Sequence, residues 1–542
     1  MIDQRLKRGE AAAVLACCAA ASVTAIVWSW RNGAMLNYGD AVAHLHIARR
    51  VFDSHRPGLS ELGSVWLPLP HILLIPFVAI FPWWANGAAA LIPSAAAWLA
   101  SCFGIYRLAR FWLSPAPAVI ALAFFALNPN LIYLQTTAMT EPLFVCEMVW
   151  TVVWLVEWHA NFERDASRSN RFLFLIALAL VAAVFTRYDG WIMAALAWLG
   201  IGAIHLKRGR LWSPAFWLAS VLVVAAPATW FVYNAVAFGD WLDFLRGPYS
   251  AKAIELRTAT PGAGPPHPGW HNPWVSLIFF IKTAELDSAA AAWGNWLLTI
   301  SLLGTAWGWL AMRRRAFAWC WLLWLPAPFY SYSVAFGSVP IFLPVWWPHS
   351  WYNTRYGLEL LPAFALGLGF AASCALGLMH EFAPRWRSAV AGALIAIAAL
   401  NAVQVIREHP LVYVEGTKNV ESRRSYEAEI PPAIRSLLAA RPGGQVLMVT
   451  SVYPRIVALA GIPLRRTINE SDKEFYQAAL AAPAREADLV LAFDGDEVDR
   501  AVKAHPENLQ RVRRFTSPGQ PGGTLYLSIS RGKSAPAQMR AQ

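Results

Sequence analysis

The chain has 542 residues, of which 57% are hydrophobic and only 14% are charged. Soluble domains carry about 25% charged residues, whereas the apolar residues here form blocks of about 20, the length that crosses a hydrocarbon core. A large water-soluble protein is therefore excluded. The formal net charge of +12 does not indicate nucleic-acid binding, because the basic residues lie mainly in short connections between the apolar blocks.

The apolar blocks predict a polytopic α-helical membrane protein with about eleven transmembrane helices. The first block follows a basic stretch, Arg5, Lys7 and Arg8, as a signal peptide would. It is long and has no evident cleavage site, so we expect a retained helix. The predicted spans, in chain order, are 11–30, 87–106, 116–134, 141–158, 172–187, 190–206, 214–237, 290–311, 316–336, 357–379 and 388–406.

Two kinds of connection alternate between these spans, and they predict the orientation. By the positive-inside rule the short basic connections lie in the cytoplasm. The N-terminus is then cytoplasmic, and everything after residue 407 lies outside. The basic residues of these connections are Arg107, Arg110, Arg164, Arg168, Arg171, Lys207, Arg208, Arg210, Arg313, Arg314, Arg315, Arg385 and Arg387.

Residues 67–84 are apolar but short and contain four prolines. If they crossed the membrane, Arg107 and Arg110 would fall outside and the alternation would fail. We therefore expect a helix that lies at the outer face or enters it only partly, within an outer loop that covers 31–86. Broken backbone is tolerated at that depth where protein covers it.

The composition changes after residue 406. Strand-like runs at 445–451, 487–494 and 524–530 alternate with helical stretches at 426–440 and 471–482. This pattern predicts a small α/β periplasmic domain over 407–535, followed by a disordered tail at 536–542. No glycine-rich phosphate-binding motif marks it as a nucleotide site. The six cysteines all lie inside apolar blocks, without disulfide or metal spacing.

The first outer loop carries the first candidate site residues. Asp40 lies just beyond the first span, and His44 follows one helical turn later, with His46 nearby. An ordinary solvated carboxylate and a metal site are both open alternatives, although two ligands at this spacing are a weak metal signal. The arginines that follow, Arg49 and Arg50, equally suit contact with the membrane surface.

The other outer loops contain further polar residues at the edges of spans. Glu141 precedes Pro142, which suits either an ordinary helix start or an acidic group that faces a polar cavity. Arg187 and Asp189 interrupt two apolar runs and could form a local ion pair. Arg355 could extend towards the membrane surface or bind a phosphate group. Tyr352 and Asn353 adjoin Arg355, and Lys252 lies in a long loop of the kind that often acts as a lid.

Four segments in this order resemble the GT-C superfamily of membrane glycosyltransferases, in particular the protein O-mannosyltransferases, the aminoarabinose transferases and the family-39-like bacterial enzymes. They are YGDAVAHLHIARRV, GSVWLPLPHILLIPF, TTAMTEPLF and NTRYGLELLP. The resemblance covers most of residues 1–406. It implies a GT-C-like transmembrane domain in the bacterial inner membrane.

The resemblance also implies a function: transfer of a hexose or pentose from a polyprenyl-phosphate donor to an acceptor at the outer face. The acceptor could be a protein, a glycan or a lipid; membrane lipids are the other expected partners, and nucleic acid is not one. Asp40 matches the catalytic base and Glu141 the second acidic position. Arg355 and Arg187 match residues that face the donor phosphate. Because Ala41 follows Asp40, a metal-binding acidic pair is not expected, and we predict no cofactor.

Two other functions remain open, besides that of a catalytically silent scaffold. A flippase or transporter of lipid-linked sugars would also have many spans and acidic residues at the membrane surface. Transporters usually show internal repeats and charges at the midplane, and this sequence shows no clear repeat. An oligosaccharide ligase or polymerase with a diphosphate donor would share the architecture.

Overall fold

A computed structural model describes residues 8–258, 265–312 and 315–530. The chain divides into two compact units. The first comprises residues 1–32, 64–70 and 91–415, and the second comprises 33–63, 71–90 and 416–542. The predictions that concern Arg5, Lys7, Arg313, Arg314 and the tail 536–542 lie outside the described residues.

The first unit is helical. Eight helical segments within the described residues are long and apolar enough to cross a membrane: Arg8–Arg31, Ala88–Arg110, Glu141–Asn161, Ala166–Thr186, Asp189–Lys207, Pro214–Phe238, Thr354–Phe382 and Pro384–Glu421. The last two contain the α-helices Leu361–Phe382, Arg387–Arg407 and Leu411–Glu421. The remaining helices of this unit are Pro115–Ala126, Pro129–Leu134, Asp243–Arg246, Ala251–Thr258, Pro273–Ser288, Ala291–Met312 and Pro326–Phe336.

Two predicted spans are each broken into two shorter helices. Residues 116–134 divide at Asn128, whose side chain accepts a hydrogen bond from the Leu131 amide at 2.9 Å and so begins a new helix before Pro129. Residues 316–336 form a 3-10 helix, Arg315–Trp324, and then the helix Pro326–Phe336. The predicted single helices are wrong here, because proline removes the backbone donor that a continuous helix needs. The predicted count of eleven spans is not confirmed.

Helices of this unit pack closely against each other at glycine residues. The helices Ala291–Met312 and Leu361–Phe382 approach so closely at Gly304 that a Cβ atom there would lie 2.1 Å from the carbonyl oxygen of Gly367. Only glycine permits that approach, and small residues at such crossings are typical of membrane helices.

Ion pairs show which helix ends lie together in this unit. Arg107 pairs with Glu157 at 2.9 Å, and Arg208 pairs with Glu163 at 2.7 Å. These basic residues therefore meet the C-terminal end of the helix Glu141–Asn161. The opposite end of that helix begins at Glu141, which meets a different set of residues. The arrangement agrees with the alternation of connections, while the side of the membrane stays a prediction.

The second unit contains a five-stranded mixed sheet. In spatial order its strands are Thr467–Ile468, Val446–Met448, Leu489–Phe493, Gly523–Ser528 and Leu509–Phe515. The first three strands are parallel to one another. Gly523–Ser528 is antiparallel to both of its neighbours, Leu489–Phe493 and Leu509–Phe515. The α-helices that accompany them are Arg424–Ala439, Arg455–Ala460, Glu474–Ala481, Pro483–Glu486 and Glu497–Ala504.

The sheet includes the three strands predicted from the sequence and two that were missed. Thr467–Ile468 has only two residues. Leu509–Phe515 carries three arginines and is largely exposed, because it lies at the edge of the sheet. An exposed edge strand lacks the apolar alternation by which strands are recognised in a sequence.

The rest of the second unit comes from the first loop. Its helices are Gly39–Arg50 and Phe81–Asn86, and most of Leu69–Val78 belongs to it. Residues 67–84 thus form helices of 10 and 6 residues, and neither has the length of about 20 residues that a span needs. This grouping of residues differs from the predicted domain boundaries. The prediction assigned residues 31–86 to the transmembrane domain and only 407–535 to the C-terminal domain.

Candidate functional site

Glu141 begins the helix Glu141–Asn161 in the first unit, with Pro142 in the first turn. Its side chain is 1% exposed. One oxygen, Oε1, accepts a hydrogen bond from Arg355 Nε at 3.0 Å and another from Arg187 Nη1 at 3.3 Å. Glu141 therefore bridges two arginines that are separated by 168 positions in the numbering of the chain.

Arg187 lies at the joint between the helices Ala166–Thr186 and Asp189–Lys207. Its Nε donates to Asp189 at 3.2 Å, and its Nη2 donates to the Tyr330 hydroxyl at 2.6 Å and pairs with Glu359 at 3.2 Å. Tyr330 in turn donates to Glu359 at 2.7 Å. All three guanidinium nitrogens of Arg187 thus have partners within the protein.

Arg355 lies in the 3-10 helix Thr354–Leu360 and pairs with Glu415 at 3.3 Å. Glu415 accepts three further hydrogen bonds, from the Asn353 and Thr354 amides at 3.0 and 2.9 Å and from the Thr354 hydroxyl at 2.6 Å. Asn353 has a φ of 55°, a conformation that asparagine tolerates better than most residues. The backbone next to Arg355 is therefore fixed by the same carboxylate that orients its side chain.

These residues form one acidic–arginine cluster, defined as Glu141, Arg187, Asp189, Tyr330, Arg355, Glu359 and Glu415. Four carboxylates face two guanidinium groups in this buried region. Within the described residues, Oε2 of Glu141 and of Glu359 has no hydrogen-bond partner. Buried charges are costly unless they are paired, so the cluster holds both arginines in a fixed geometry while two carboxylate oxygens retain acceptor capacity.

The remaining predicted residues of this unit have varied placements. Tyr352 pairs through its backbone with Phe342, at 3.0 and 3.3 Å, and its side chain is 48% exposed. The Asn353 side chain donates to the Pro340 carbonyl at 2.9 Å. Lys252 is exposed and pairs with Glu255 on its own helix. No hydrogen bond or ion pair among the described residues joins Lys252 to the acidic–arginine cluster.

Asp40 and His44 belong to the second unit. Asp40 is partly exposed in the first turn of the helix Gly39–Arg50. His44 lies one turn later and is buried, with its Nδ1 atom 2.8 Å from Nε2 of His71. His46 packs against Trp84, and burial, followed by the nearby charges of Arg50 and Arg49, lowers the pKa of its imidazole to about 3.

The metal alternative for this loop receives no support from the geometry. His44 and His71 face each other in a hydrogen bond. Across the described ranges, no group of three or more histidine, cysteine, aspartate or glutamate side chains is arranged to hold a metal ion. The expectation that the protein uses no metal or other cofactor stays a prediction.

Several residues around the candidate sites were not identified from the sequence: Tyr330, Glu359, Glu415, His71 and Arg423. Glu359 follows Arg355 by four positions, a spacing that could have marked it. Tyr330 lies in an apolar block, and Glu415 lies beyond the last predicted span. Neither carries a local signal.

The fold is similar to those of two kinds of solved membrane proteins. ArnT, the aminoarabinose transferase, from Cupriavidus metallidurans bound to undecaprenyl phosphate shares 14% identity with a TM-score of 0.56, over 95% of this chain and 99% of that chain. The archaeal oligosaccharyltransferase AglB from Archaeoglobus fulgidus, in complex with an inhibitory peptide and a dolichol-phosphate, shares 12% identity with a TM-score of 0.50, over 97% of this chain and 75% of that chain.

Both proteins are GT-C members, so the predicted GT-C-like fold, a multi-pass helical membrane protein with a small C-terminal sheet, is confirmed. No protein-family model and no curated protein matches the sequence. At these identities the similarity establishes the fold, and the activity has to be argued from the residues.

Proposed function

We propose that the protein is a glycosyltransferase that moves a hexose or pentose from a polyprenyl-phosphate donor to an acceptor hydroxyl. The observation that carries this proposal is the GT-C-like fold together with the buried acidic–arginine cluster that it contains. The fold matches that of ArnT over nearly the whole of both chains, and the solved ArnT structure holds undecaprenyl phosphate. An enzyme whose donor is lipid-linked needs a membrane domain, and no nucleotide is required.

Asp40 is the proposed base. As the acceptor oxygen forms its bond to the anomeric carbon, the bond from that carbon to the phosphate oxygen breaks. The acceptor proton moves to the Asp40 carboxylate, and the lipid phosphate leaves with the bonding electron pair. A positioned carboxylate assists such a displacement at an oxocarbenium-like centre. The reaction is a single displacement with inversion, and it involves no metal.

Arg355 is the proposed contact for the leaving phosphate. The phosphate gains negative charge as the bond breaks, so a fixed guanidinium stabilises it most in the transition state. Glu141 and Glu415 hold Arg355 in place at 3.0 and 3.3 Å. Arg187, whose nitrogens are all engaged within the protein, supports the cluster through Glu141. The role of Glu141 in this proposal is to orient the arginines.

The reaction is placed at the outer face of a bacterial inner membrane, with a cytoplasmic N-terminus. This part of the proposal is supported by the positive-inside pattern of the connections. It also agrees with the pairing of Arg107 and Arg208 at the opposite end of the helix that begins at Glu141.

The test is donor turnover by the purified, reconstituted protein with a panel of polyprenyl-phosphate hexoses and pentoses. Release of polyprenyl phosphate is followed by mass spectrometry. We expect turnover of at least one donor, and its loss in Asp40→Asn and Arg355→Ala. The matched controls are Asp243→Asn and Arg246→Ala, which alter the short helix Asp243–Arg246. Full turnover in both site variants refutes the site, and transbilayer movement of the donor without bond cleavage refutes the enzyme.

A further inference from the structure

The helix that carries Asp40 is held at its C-terminal end by the C-terminal part of the chain. Arg50 donates to the Ser471 hydroxyl at 2.7 Å, and the His55 ring lies 2.9 Å from the carbonyl oxygen of Thr467. Asp53 accepts a hydrogen bond from the Leu464 amide at 3.3 Å. These contacts all fall within the second unit. They join segments that are more than 400 positions apart.

The start of the same helix is held by Arg423. This side chain is buried, with 8% of the residue exposed. Its Nη2 atom donates to the carbonyl oxygen of Asn37 at 3.3 Å. Its Nη1 atom lies 3.0 Å from the point where a Cβ atom on Gly39 would be. The guanidinium therefore lies against the backbone that leads into Asp40, and glycine at position 39 leaves room for it.

The charges around Arg423 give it a second role. Glu427 lies 3.5 Å from its Nε atom, and Arg455 contacts the same carboxylate at 2.8 Å. Arg423 is also within electrostatic reach of Asp40, so the opposite charges attract each other. Two arginines thus share Glu427, and Arg423 is the one that contacts the segment before Asp40.

We propose that Arg423 is a positioning residue for Asp40, so that the C-terminal region acts in the reaction through this arginine. The inference rests on the proposed function, because it assumes that Asp40 is the base. Arg423 holds the backbone that leads into the first turn of the helix Gly39–Arg50, and so places the carboxylate that accepts the acceptor's proton. Removing it misplaces Asp40 without altering the acidic–arginine cluster.

The kinetic test uses the donor that the panel identifies. We expect Arg423→Ala to lower kcat about 10- to 100-fold, the loss that follows a misplaced catalytic group, with little change in KM for the donor. Arg423→Lys keeps the charge and should recover part of kcat. Arg435→Ala is the control, because Arg435 lies on the helix Arg424–Ala439 and contacts the carbonyls of Leu459 and Ala460 instead. Wild-type kcat in Arg423→Ala overturns the proposal.

A double-mutant cycle separates positioning from general destabilisation. If Arg423 acts through Asp40, Arg423→Ala has no further effect on the residual turnover of Asp40→Asn, measured in long incubations at high enzyme concentration. Additive losses overturn the proposal. Gly39→Ala provides a second variant should Arg423→Ala fail to fold, since its Cβ meets only the end of the flexible Arg423 side chain. We expect it to lower kcat several-fold with unchanged folding, and an unchanged kcat contradicts the proposal.

Amide hydrogen exchange provides a readout that is independent of activity. Arg423→Ala should accelerate exchange in residues 37–45, whereas Arg435→Ala should not. If the wild type turns over no donor, the proposed function fails, and the exchange result still decides whether Arg423 holds this segment. Unchanged exchange in Arg423→Ala overturns the inference whether or not the enzyme is active.

Discussion

Two carboxylates of this protein, Glu141 and Asp40, differ sharply in their surroundings. Glu141 is 1% exposed and shares one oxygen between two arginines within a buried network. Asp40 is partly exposed, lies in the first turn of a short helix and has Arg423 as a cationic neighbour. A base must be reached by the hydroxyl that it deprotonates. The comparison therefore favours Asp40 for proton transfer and Glu141 for holding the arginines.

The largest expected effect comes from removing the most heavily paired cation. Arg187→Ala removes one buried ion-pair partner from each of Glu141, Asp189 and Glu359. Breaking a buried ion pair in this way lowers the free energy of unfolding by about 3–5 kcal/mol. The control is Arg56→Ala, which breaks the exposed pair with Glu474 and should cost about 0–1 kcal/mol. Thermal unfolding in detergent, followed by tryptophan fluorescence, measures both. Equal losses would show that the acidic–arginine cluster is not a structural support.

A smaller effect is expected from Glu415→Gln, which keeps the shape but removes the charge that orients Arg355. The amide has a single oxygen, which can accept either from Asn353 and Arg355 or from Thr354, and its NH2 group then faces a donor on the other side. Loss of a charged hydrogen bond costs about 1.5–3 kcal/mol. We expect this cost to appear as a lower kcat/KM for the donor, while the variant is expressed and remains soluble as the wild type does. Glu408→Gln, which alters a carboxylate that accepts from the Ala291 amide, is the control. An unchanged kcat/KM would separate Glu415 from the function of Arg355.

The smallest effect concerns the stability of the second unit at acidic pH. Burial lowers the pKa of His46 to about 3, whereas histidine in the unfolded chain has a pKa of about 6.5. The folded state then excludes a proton that the unfolded state binds. Stability is fully present above about pH 6.5 and decreases as the pH falls towards 3, by about 1.4 kcal/mol per pH unit.

Thermal unfolding of the purified protein at pH 7.5 and pH 5.5 measures this dependence, with His46→Gln for comparison. The neighbouring charges of Arg49 and Arg50 oppose protonation and remain in the variant. His71, whose pKa is also lowered by burial, by His44 and by Arg50, contributes in the same direction. The variant should therefore show a reduced but not abolished pH dependence. An identical dependence in the two proteins would contradict the role of His46.

The sequence predicted most of the membrane helices because their signal is local. Blocks of apolar residues mark the helices Arg8–Arg31 and Pro214–Phe238 without reference to the rest of the chain. The breaks at Asn128 and Pro326 were missed, although both contain proline, because the surrounding hydropathy is continuous. The pairing of Arg187 with Asp189 was considered from their proximity along the chain, and the structure contains it at 3.2 Å.

The residues that contact the site side chains from distant parts of the sequence could not be predicted. Glu415 is 60 positions from Arg355, and Arg423 is 386 positions from Asn37. Hydropathy and periodicity describe neighbours within a few turns and carry no information about such distant pairs. The same limit explains why residues 33–63 were assigned to the transmembrane domain, although they group with residues from 416 onwards in the structure.

The contacts of the helix Gly39–Arg50 with residues 464–471 also order events during biosynthesis. At about 5–20 residues per second, synthesis of the intervening 400 residues takes on the order of 20–80 seconds. During that time Arg50, Asp53 and His55 have none of their partners in this later segment. The Asp40 helix acquires its native surroundings only when nearly the whole polypeptide has been made, so a prematurely terminated chain inserts its early helices but has no correctly assembled first loop.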